Sequence, residues 1–304
     1  MKILITGASG YIGSILLNYL SKDFLTIGLD KKKPKKIQNI KCDLTDKKKV
    51  FLLLKKIMPD LIVHLAGQSL VDETISKKKY YYNNVIATKN LIEAMKCNRL
   101  NNIIFSSTAA VYKYKNGKLN EESKIKAKST YAKTKLECEK IIKKSKINSI
   151  ILRFFNVCSS LNHNKKIMGE FHNPETHLIP TAVYKNILKK KIYVYGNNYN
   201  TKDGTCIRDY IHIKDICDSI NKSIKYLHAK NNQFEIINIG SNYTYTIHEI
   251  LQKIEKITKI KNKIDIVKRR TGDADKLTCS IKKAKNLIKW KPINSNIEKI
   301  LKDE

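Results

Sequence analysis

A tyrosine and a lysine lie four residues apart near the start of a predicted helix. Tyr131 and Lys135 share one face of that helix, because residues at this spacing are neighbours on a helix surface. A phenol with a pKa of about 10 is a poor base at neutral pH. A neighbouring ammonium favours the phenolate and brings it into range for proton transfer. Because this spacing also arises by chance in a lysine-rich chain, other residues must support the interpretation.

Hydroxyl side chains end a predicted strand just upstream of this pair. The strand 103–106 runs into Ser107 and Thr108. Hydroxyls at the carboxyl end of a strand in an open α/β sheet face the ligand crevice. Thr108 is therefore placed to hydrogen-bond a substrate hydroxyl or the Tyr131 phenol. A structural strand-end cap is the alternative for Ser107, and it fits Thr108 less well.

The first twenty residues predict a strand, a glycine-rich turn and a helix. An apolar run leads into Gly7, Gly10 and Gly13, and apolar residues then recur at helical spacing. Gly7 permits a tight turn, Gly10 a close approach to a pyrophosphate, and Gly13 close packing of the helix on the strand. Free N–H groups at the helix start favour phosphate. The alternative is an ordinary strand–turn–helix connection.

An acidic residue follows where a dinucleotide site requires one. Asp30 ends the next apolar run, and its carboxylate is placed to accept hydrogen bonds from ribose hydroxyls. The same carboxylate would repel a 2′-phosphate, which favours NAD over NADP.

The elements that must position these residues alternate between strand-like and helix-like periodicity. Over residues 1–156 the pattern is typical of an α/β fold with a Rossmann-type doubly wound parallel sheet. Helices are predicted at 50–57, 81–97 and 130–144. Beyond this stretch loops lengthen and the alternation becomes irregular. We expect an NAD-binding domain over 1–156, to which later segments return, and a smaller α/β substrate-binding domain over 157–304.

The formal net charge of +33 raises the question of a nucleic-acid partner. Only five of the 60 basic residues are arginine, and the lysines are spread through every segment. A nucleic-acid surface more often uses arginine forks and a concentrated patch. We therefore attribute the charge to composition and expect no nucleic-acid partner.

Cysteine usage and hydropathy limit the remaining classes. The seven cysteines form no C-x-x-C pair and no cluster with histidine, which predicts reduced thiols and no metal site. No apolar run has the length of a membrane span, and the first strand leaves no room for a signal peptide. We expect a cytoplasmic protein without a membrane partner.

A series of motifs resembles the UDP-glucose 4-epimerases of the extended short-chain dehydrogenase/reductase superfamily. In order, they are TGASGYIGS, CDLTD, DLIVHLAG, YYNNV, FSSTAAVY, YAKTK, LRFFNV, ETHLIP, YGNNYNTKDGTCIRDYIHI and RRTGDADKL. The resemblance spans nearly the whole chain and implies reversible 4-epimerisation of a UDP-hexose, UDP-galactose or UDP-glucose. It also implies that NAD oxidises C4 transiently while Tyr131 takes the proton of the 4-hydroxyl.

The resemblance further implies roles for individual residues. Tyr131 would be the base, Lys135 its partner and Thr108 the supporting hydroxyl. The residues implied for NAD binding are Gly7, Gly10, Tyr11, Ile12, Gly13, Asp30, Asp43, Leu44, Leu65, Ala66, Gly67, Asn83, Ser106, Tyr131, Lys135 and Phe154. Those implied for binding the UDP-sugar are Thr108, Asn156, His177, Leu178, Tyr195, Arg208, Arg270 and Asp273. Arg269 is interpreted as a surface charge.

Four positions bear on how closely the chain follows the family pattern. Phe154 stands where many relatives have tyrosine, so one hydroxyl is missing. Leu277 replaces a bulky aromatic of some relatives, which would admit an N-acetyl group. Ala109 and Ala110 stand where 4,6-dehydratases carry an Asp-Glu pair, which argues against an elimination reaction.

Two alternative functions are compatible with the sequence, and the resemblance also implies a partner. One alternative is a 4-epimerase of another nucleotide sugar, such as a UDP-pentose or UDP-N-acetylglucosamine. The other is a non-catalytic NAD- or RNA-binding protein that kept the fold. Relatives are commonly homodimers, and we nominate the helices around 81–97 and 131–144 as the interface.

Overall fold

A computed structural model describes residues 1–32, 39–69, 75–114, 117–163, 166–170, 175, 177–230, 233–270 and 273–304. Its strands are β1 Lys2–Thr6, β2 Leu25–Asp30, β3 Asn39–Lys41, β4 Leu61–His64, β5 Asn102–Thr108, β6 Asn148–Phe154, β7 Asn156–Cys158, β8 Leu161–His163, β9 Lys166–Met168, β10 Lys191–Tyr195, β11 Ile207–Arg208, β12 Tyr210–His212, β13 Phe234–Ile239, β14 Tyr245–Thr246, β15 Lys263–Val267 and β16 Lys276–Leu277. Its α-helices are α1 Tyr11–Leu20, α2 Lys47–Ile57, α3 Lys77–Tyr80, α4 Ala87–Cys97, α5 Thr130–Ser145, α6 Leu178–Ile187, α7 Ile213–Ala229, α8 Ile247–Thr258, α9 Lys282–Leu287 and α10 Ile297–Asp303. A π-helical turn, Tyr81–Ile86, leads directly into α4, and a 3-10 turn, Ala109–Val111, follows β5.

The largest sheet of the described residues has seven strands in the order β13-β6-β5-β4-β1-β2-β3. The pairings from β3 through to β6 are parallel. The β13 strand also runs parallel to β6, because Ser149 N–H donates to the Gln233 carbonyl and Phe155 N–H to the Ile239 carbonyl. Every residue of β6 is buried, as expected of a strand in a sheet covered on both faces. The predicted α/β fold with a doubly wound parallel sheet is confirmed.

The strand order reverses at β1, which pairs with β2 on one side and with β4 on the other. In open α/β sheets the ligand crevice lies outside the carboxyl ends of the strands at such a reversal. Thr6, Asp30 and His64 are the last residues of these three strands. The glycine-rich turn follows Thr6 directly, so it lies at this edge.

The chain divides into two compact units. The first comprises 1–112, 125–154 and 217–237, and the second 113–124, 155–216 and 238–304. The sequence predicts that later segments return to the first domain, but it does not predict that 113–124 leaves it. Residues 217–237 return to the first unit because α7 leads into β13, which completes the central sheet. Residues 113–124 belong to the second unit, where Leu119 N–H donates to the Thr278 carbonyl.

Each unit has its own apolar core. In the first unit, buried side chains of α2, α4 and α5 pack against the sheet around Leu91, Met95 and Phe105. In the second, α6, α8 and α10 enclose a cluster that includes Ile192 and Ile250. Burial of such apolar surface is the main favourable contribution to folding. Among the described residues, no helix is long and apolar enough to cross a membrane.

The helices begin where the sequence supplies capping side chains. Asp46 accepts a hydrogen bond from Lys49 N–H at the start of α2, and Ser129 accepts one from Ala132 N–H at the start of α5. The predicted helix 81–97 is divided into the π-helical turn and α4, whereas the one at 130–144 corresponds to α5. Because Ser129 fixes the first turn of α5, it also fixes the residues of that turn, including Tyr131.

Candidate active site

Two glycines of the glycine-rich turn lie where a side chain would not fit. Gly7 has a φ of +73°, and a Cβ there would lie 2.7 Å from Ala66 N. A Cβ on Gly13 would lie 2.2 Å from the Gly7 carbonyl oxygen, which shows how closely α1 packs on the end of β1. Gly10 precedes the first residue of α1, where backbone N–H groups lack intrahelical acceptors. This cradle fits a dinucleotide pyrophosphate, as the sequence predicts.

Asp30 is held against the glycine-rich turn. Its carboxylate accepts hydrogen bonds from Ser9 N–H at 3.0 Å and from Lys32 N–H at 2.9 Å. These bonds keep an acidic group beside the turn at the end of β2, where ribose hydroxyls could donate to it. Tyr11 and Ile12 open the adjacent helix α1.

Asp43 and Leu44 both lie in the segment that follows β3. The Asp43 carboxylate accepts hydrogen bonds from Thr45 N–H and Oγ1, at 2.9 and 2.8 Å. Leu44 is buried, and its carbonyl accepts a hydrogen bond from Asn90 Nδ2 at 3.0 Å. Both residues therefore have fixed positions in the first unit.

Leu65, Ala66 and Gly67 follow β4, and a buried asparagine holds the residue after them. Asn84 Oδ1 accepts a hydrogen bond from Gln68 N–H at 2.7 Å, and its Nδ2 donates to Thr134 Oγ1 at 2.9 Å. A Cβ on Gly67 would lie 2.8 Å from Asn84 Oδ1 and 3.6 Å from Lys135 Nζ. The loop that follows β4 and helix α5 are thus joined through one side chain.

Asn84 is a residue that the sequence analysis missed. Its neighbour Asn83 is the residue predicted from the sequence, and Asn83 Oδ1 accepts a hydrogen bond from Lys31 Nζ at 3.3 Å. Both asparagines lie in the π-helical turn, and such turns are frequent at functional sites. The paired asparagines in YYNNV were the available signal, but only the three-dimensional structure distinguishes the buried residue from the partly exposed one.

Tyr131, Lys135 and Thr108 come together at the end of β5. Lys135 is buried, and its Nζ donates to the Ser106 carbonyl at 2.8 Å and lies 4.7 Å from the centre of the Phe105 ring. Thr108 Oγ1 accepts a hydrogen bond from Ala110 N–H at 3.2 Å, and a side-chain hydrogen bond with Thr108 lowers the pKa of the Tyr131 phenol. The predicted catalytic trio is therefore one cluster, with the lysine fixed by the strand that carries the threonine.

Burial dominates the titration of this cluster. It raises the pKa of the Tyr131 phenol to about 12, although the hydrogen bond from Thr108 opposes the rise. It also lowers the pKa of Lys135 to about 8. The charge of the lysine is apparent from the sequence, whereas the loss of solvent around the phenol is not. In the polypeptide by itself the phenol is protonated at neutral pH, so ionisation requires a further positive charge beside it.

His64, at the end of β4, is kept neutral. Burial, followed by the charge of Lys135, lowers its pKa to about 3. Its Nδ1 lies 2.7 Å from Thr6 Oγ1 and its Nε2 3.0 Å from Thr88 Oγ1. A neutral imidazole between two hydroxyls is a structural connection between β1, β4 and α4, and it leaves Lys135 as the charged group of the cluster.

Four of the residues implied for substrate binding occur together in the second unit. Arg208 Nη2 donates to Asp273 Oδ1 at 2.5 Å, and its Nη1 donates to two backbone carbonyls. The Arg270 guanidinium lies 3.9 Å from the centre of the Tyr195 ring. Arg270 is exposed, whereas Arg208 is largely buried. Two guanidinium groups with this support can bind a diphosphate through paired donors.

Arg269 makes more contacts than the surface charge predicted from the sequence would make. Its Nη2 donates to Asp275 Oδ1 at 2.8 Å and to the Asp273 carbonyl at 3.0 Å, and the guanidinium lies over the Tyr199 ring. Tyr199 OH in turn donates to Asp273 Oδ2 at 3.2 Å. Arg269 therefore fixes the segment that carries Asp273.

Asn156, His177 and Leu178 occupy other parts of the second unit. Asn156 Nδ2 donates to the Asp209 carbonyl at 2.8 Å. His177 precedes α6, of which Leu178 is the first residue. Asn156 is thus tied to the residue that follows Arg208, which brings these two predicted substrate residues to neighbouring backbone.

His177 also lies among carboxylates. Its Nδ1 is 2.8 Å from Glu175 Oε1 and 3.2 Å from Glu170 Oε2. Within the part of the chain that the structure describes, the ligand atoms of these three residues lie within 4.8 Å of one another, as in a cation site. The histidine–carboxylate contacts account for this grouping, and we assign no metal to it.

The two residues that depart from the family pattern lie beside other site residues. Phe154 is buried at the end of β6, in register with Thr108 of β5. Leu277 lies in β16, in register with Arg208 of β11. The side chain at each position can therefore influence the space next to a predicted site residue.

Known proteins resemble this chain in both sequence and fold. The model of the NAD dependent epimerase/dehydratase family matches residues 3–240. The UDP-glucose 4-epimerase of Lactobacillus helveticus is 34% identical, over 99% of this chain and 95% of that protein. The crystal structure of UDP-glucose 4-epimerase from Brucella ovis in complex with NAD gives a TM-score of 0.92 at 28% identity, over 99% of this chain and 96% of that one. The UDP-Glc/GlcNAc 4-epimerase from Campylobacter jejuni gives 0.86 at 31% identity, over 99% of this chain and 97% of that one.

Proposed function

This chain belongs to the NAD dependent epimerase/dehydratase family, and from that premise we propose that it is an NAD-dependent UDP-glucose 4-epimerase. It interconverts UDP-galactose and UDP-glucose by transient oxidation at C4 of the sugar. The observation that carries the proposal is the cluster of Tyr131, Thr108 and Lys135 at the end of β5, in the unit that holds the glycine cradle.

The cofactor is held by groups of the first unit. Gly7, Gly10 and Gly13 leave space for the pyrophosphate, and Asp30 accepts hydrogen bonds from a ribose. When bound, NAD+ supplies an acceptor for one hydrogen and its electron pair from C4, and a positive ring beside the phenol. The remaining proposed contacts are Tyr11, Ile12, Asp43, Leu44, Leu65, Ala66, Gly67, Asn83, Ser106 and Phe154.

Tyr131 moves the proton. Its phenolate takes the proton of the sugar 4-hydroxyl as C4 is oxidised, and the phenol returns that proton to the 4-oxygen when C4 is reduced from its other face. Thr108 orients this exchange by its hydrogen bond to the phenol. The Lys135 ammonium, fixed on the Ser106 carbonyl, favours the phenolate. No proton is gained or lost over the cycle.

For the UDP moiety we propose the arginine pair and its neighbours. Arg208 and Arg270 bind the diphosphate, and Asn156, His177, Leu178, Tyr195 and Asp273 contact the remaining polar groups. A ligand held at its nucleotide leaves the sugar free to present either face of C4, and remote binding energy then serves the reaction.

A labelled substrate tests the proposal directly. Incubation with UDP-galactose carrying deuterium at C4 should yield UDP-glucose with the deuterium retained at C4, as measured by mass spectrometry and NMR. Loss of the label to solvent would contradict transient oxidation at this carbon. Retained NAD without turnover of any UDP-hexose, together with tight RNA binding, would instead support a non-catalytic protein.

Leu277 supports a second substrate class. A leucine beside Arg208 leaves more space than a bulky aromatic, so UDP-N-acetylgalactosamine and UDP-N-acetylglucosamine are included in the proposal. The same assay with the N-acetylated pair decides this point, as does a UDP-pentose for that alternative.

Replacing Arg270 should weaken substrate binding without changing the chemistry. For Arg270→Met we expect KM for UDP-galactose to rise about tenfold, because a hydrogen bond to a charged group contributes about 1.5–3 kcal/mol. The value of kcat should stay the same, since Arg270 contacts a part of the substrate that does not react. Lys268→Met is the matched control, because Lys268 is exposed on the same segment. An equal rise in KM for both variants would contradict a specific diphosphate contact.

We further propose a cytoplasmic homodimer that pairs through α4 and α5, the helices nominated from the sequence. Sedimentation distinguishes it from a monomer of 35.1 kDa, and a monomer at micromolar concentration would contradict it.

A further inference from the structure

A buried ion pair in the first unit connects α5 to β6. Arg153 Nε donates to Glu139 Oε1 at 2.9 Å, and its Nη2 donates to Oε2 at 2.6 Å. The two side chains are 4% and 5% exposed. Ser107 on β5 donates to the same carboxylate, with Oγ 2.5 Å from Oε1. The Arg153 guanidinium also lies over the Tyr112 ring, 4.8 Å from its centre. One carboxylate therefore joins three elements of the unit.

Stability alone does not account for this arrangement. Transfer of two charges out of water is unfavourable, and apolar replacements of a buried pair are often neutral or stabilising. A hydrogen-bonded buried network does restrict the relative positions of the elements that carry it. The network therefore restricts the positions of the residues that α5, β5 and β6 carry.

Each member of the network is near a residue of the catalytic cluster. Ser107 immediately precedes Thr108, and Arg153 lies beside Ser107 in the register of β5 and β6. Glu139 follows Lys135 by one helical turn, so the two side chains share a face of α5. The residues of the network therefore lie one residue along the strand, or one turn along the helix, from the groups that act on the substrate.

Two hydrogen bonds in succession tie α5 to the end of β5. Lys135 Nζ donates to the Ser106 carbonyl at 2.8 Å, and the next residue of the strand, Ser107, donates to Glu139. The first bond joins α5 to the strand at Ser106, and the second joins it to the next residue of the strand. Thr108 is the next residue, and its hydroxyl must meet a phenol that α5 carries.

We propose that Ser107, Glu139 and Arg153 are positioning residues that hold the Thr108 hydroxyl against the Tyr131 phenol. The proposal rests on the proposed epimerase function, and it extends the reacting groups by a network that does not touch the substrate. Its role is to keep α5, β5 and β6 in the one arrangement in which proton transfer is fast.

Ser107→Ala tests the connection while leaving the ion pair intact. We expect kcat for UDP-galactose to fall about tenfold to a hundredfold, since small displacements of catalytic groups have effects of that order. KM and the NAD content should be unchanged. The acid limb of the kcat–pH profile should move to higher pH, because the hydrogen bond from Thr108 lowers the phenol pKa.

Ser149→Ala is the matched control for this variant. Ser149 is buried on β6, the strand that also carries Arg153, and its hydroxyl has no hydrogen-bond partner among the described residues. We expect kcat, KM and the acid limb to stay at their original values. The comparison separates loss of a buried hydroxyl in general from loss of the bond to Glu139.

A double variant separates position from stability. Glu139→Gln alone leaves Arg153 charged and without its counter-charge, which can prevent folding. Glu139→Leu with Arg153→Met removes both charges, and we expect it to fold, bind NAD and still show a kcat at least as low as that of Ser107→Ala. An unchanged kcat in both Ser107→Ala and the double variant would overturn the proposal. Failure of the unmodified protein to turn over UDP-galactose would overturn the proposed function instead, so the two failures are distinct.

Discussion

Tyr131→Phe should lower kcat for UDP-galactose by about 10²- to 10⁴-fold while NAD remains bound, because a positioned acid–base group contributes about that much. Phenylalanine keeps the ring and removes only the group that exchanges the proton. The residual rate then measures what binding and orientation supply without Tyr131. The measurement is kcat together with the NAD released on denaturation, compared with the unmodified protein.

The pH dependence of the unmodified protein should report the same group. In the polypeptide alone burial raises the pKa of the phenol to about 12, and the positive ring of bound NAD+ would act in the opposite direction. The rate should therefore rise with pH as the phenol of the complex ionises. This limb should be missing from the residual activity of Tyr131→Phe.

Tyr184→Phe provides the control for loss of a phenol. Tyr184 is 61% exposed on α6, and it has no assigned role, so its replacement should leave kcat, KM and NAD content unchanged. Full activity of Tyr131→Phe would show that another group takes the proton.

Gly13→Ala should prevent stable NAD binding, and with it all turnover. A Cβ at this position would lie 2.2 Å from the Gly7 carbonyl oxygen and 2.8 Å from its carbon. Both are backbone atoms, so α1 must move away from the end of β1. Overpacking of this kind costs about 1–3 kcal/mol of stability, and the displaced turn no longer fits a pyrophosphate. The measurements are the NAD content of the purified protein and its melting temperature.

Two other glycines make this test quantitative. A Cβ on Gly10 would lie 3.2 Å from the same oxygen, so Gly10→Ala should cause a smaller loss of NAD. A Cβ on Gly117 has no atom within 4 Å, although its φ is +95°, so Gly117→Ala should lose some stability and keep its NAD. A Gly13→Ala protein with a full complement of NAD would contradict the assigned cradle.

The features that could be predicted from the sequence are those that a short stretch determines. The turn from Gly7 to Gly13 encodes much of its own geometry, because Gly10 and Gly13 are crowded by Gly7 within that turn, whereas Gly7 itself is crowded by Leu65 and Ala66 after β4. Tyr131 and Lys135 were predictable together because helical spacing places them on one face. The alternating periodicity likewise predicted the confirmed α/β sheet.

The features that were missed depend on residues far apart in the chain. Asn84 holds Gln68 and Thr134, and Glu139 joins Ser107 to Arg153, yet no local pattern marks these contacts. The titration of Tyr131 was also beyond the sequence, since it depends on how much solvent the fold removes. The return of a later segment to the first domain was expected, but its bounds, 217–237, depend on a strand that pairs at the edge of a sheet built by earlier segments.

This last strand has a consequence for synthesis of the protein on the ribosome. β13 covers the outer edge of β6, a strand buried along its full length, and it emerges some eighty residues later. Until then a nascent chain presents an unpaired apolar edge, the kind of edge to which other chains add. A fragment that stops after Asn156 retains that edge permanently. It should therefore be prone to aggregation, and a chaperone that shields strand edges would help the complete polypeptide most during this interval.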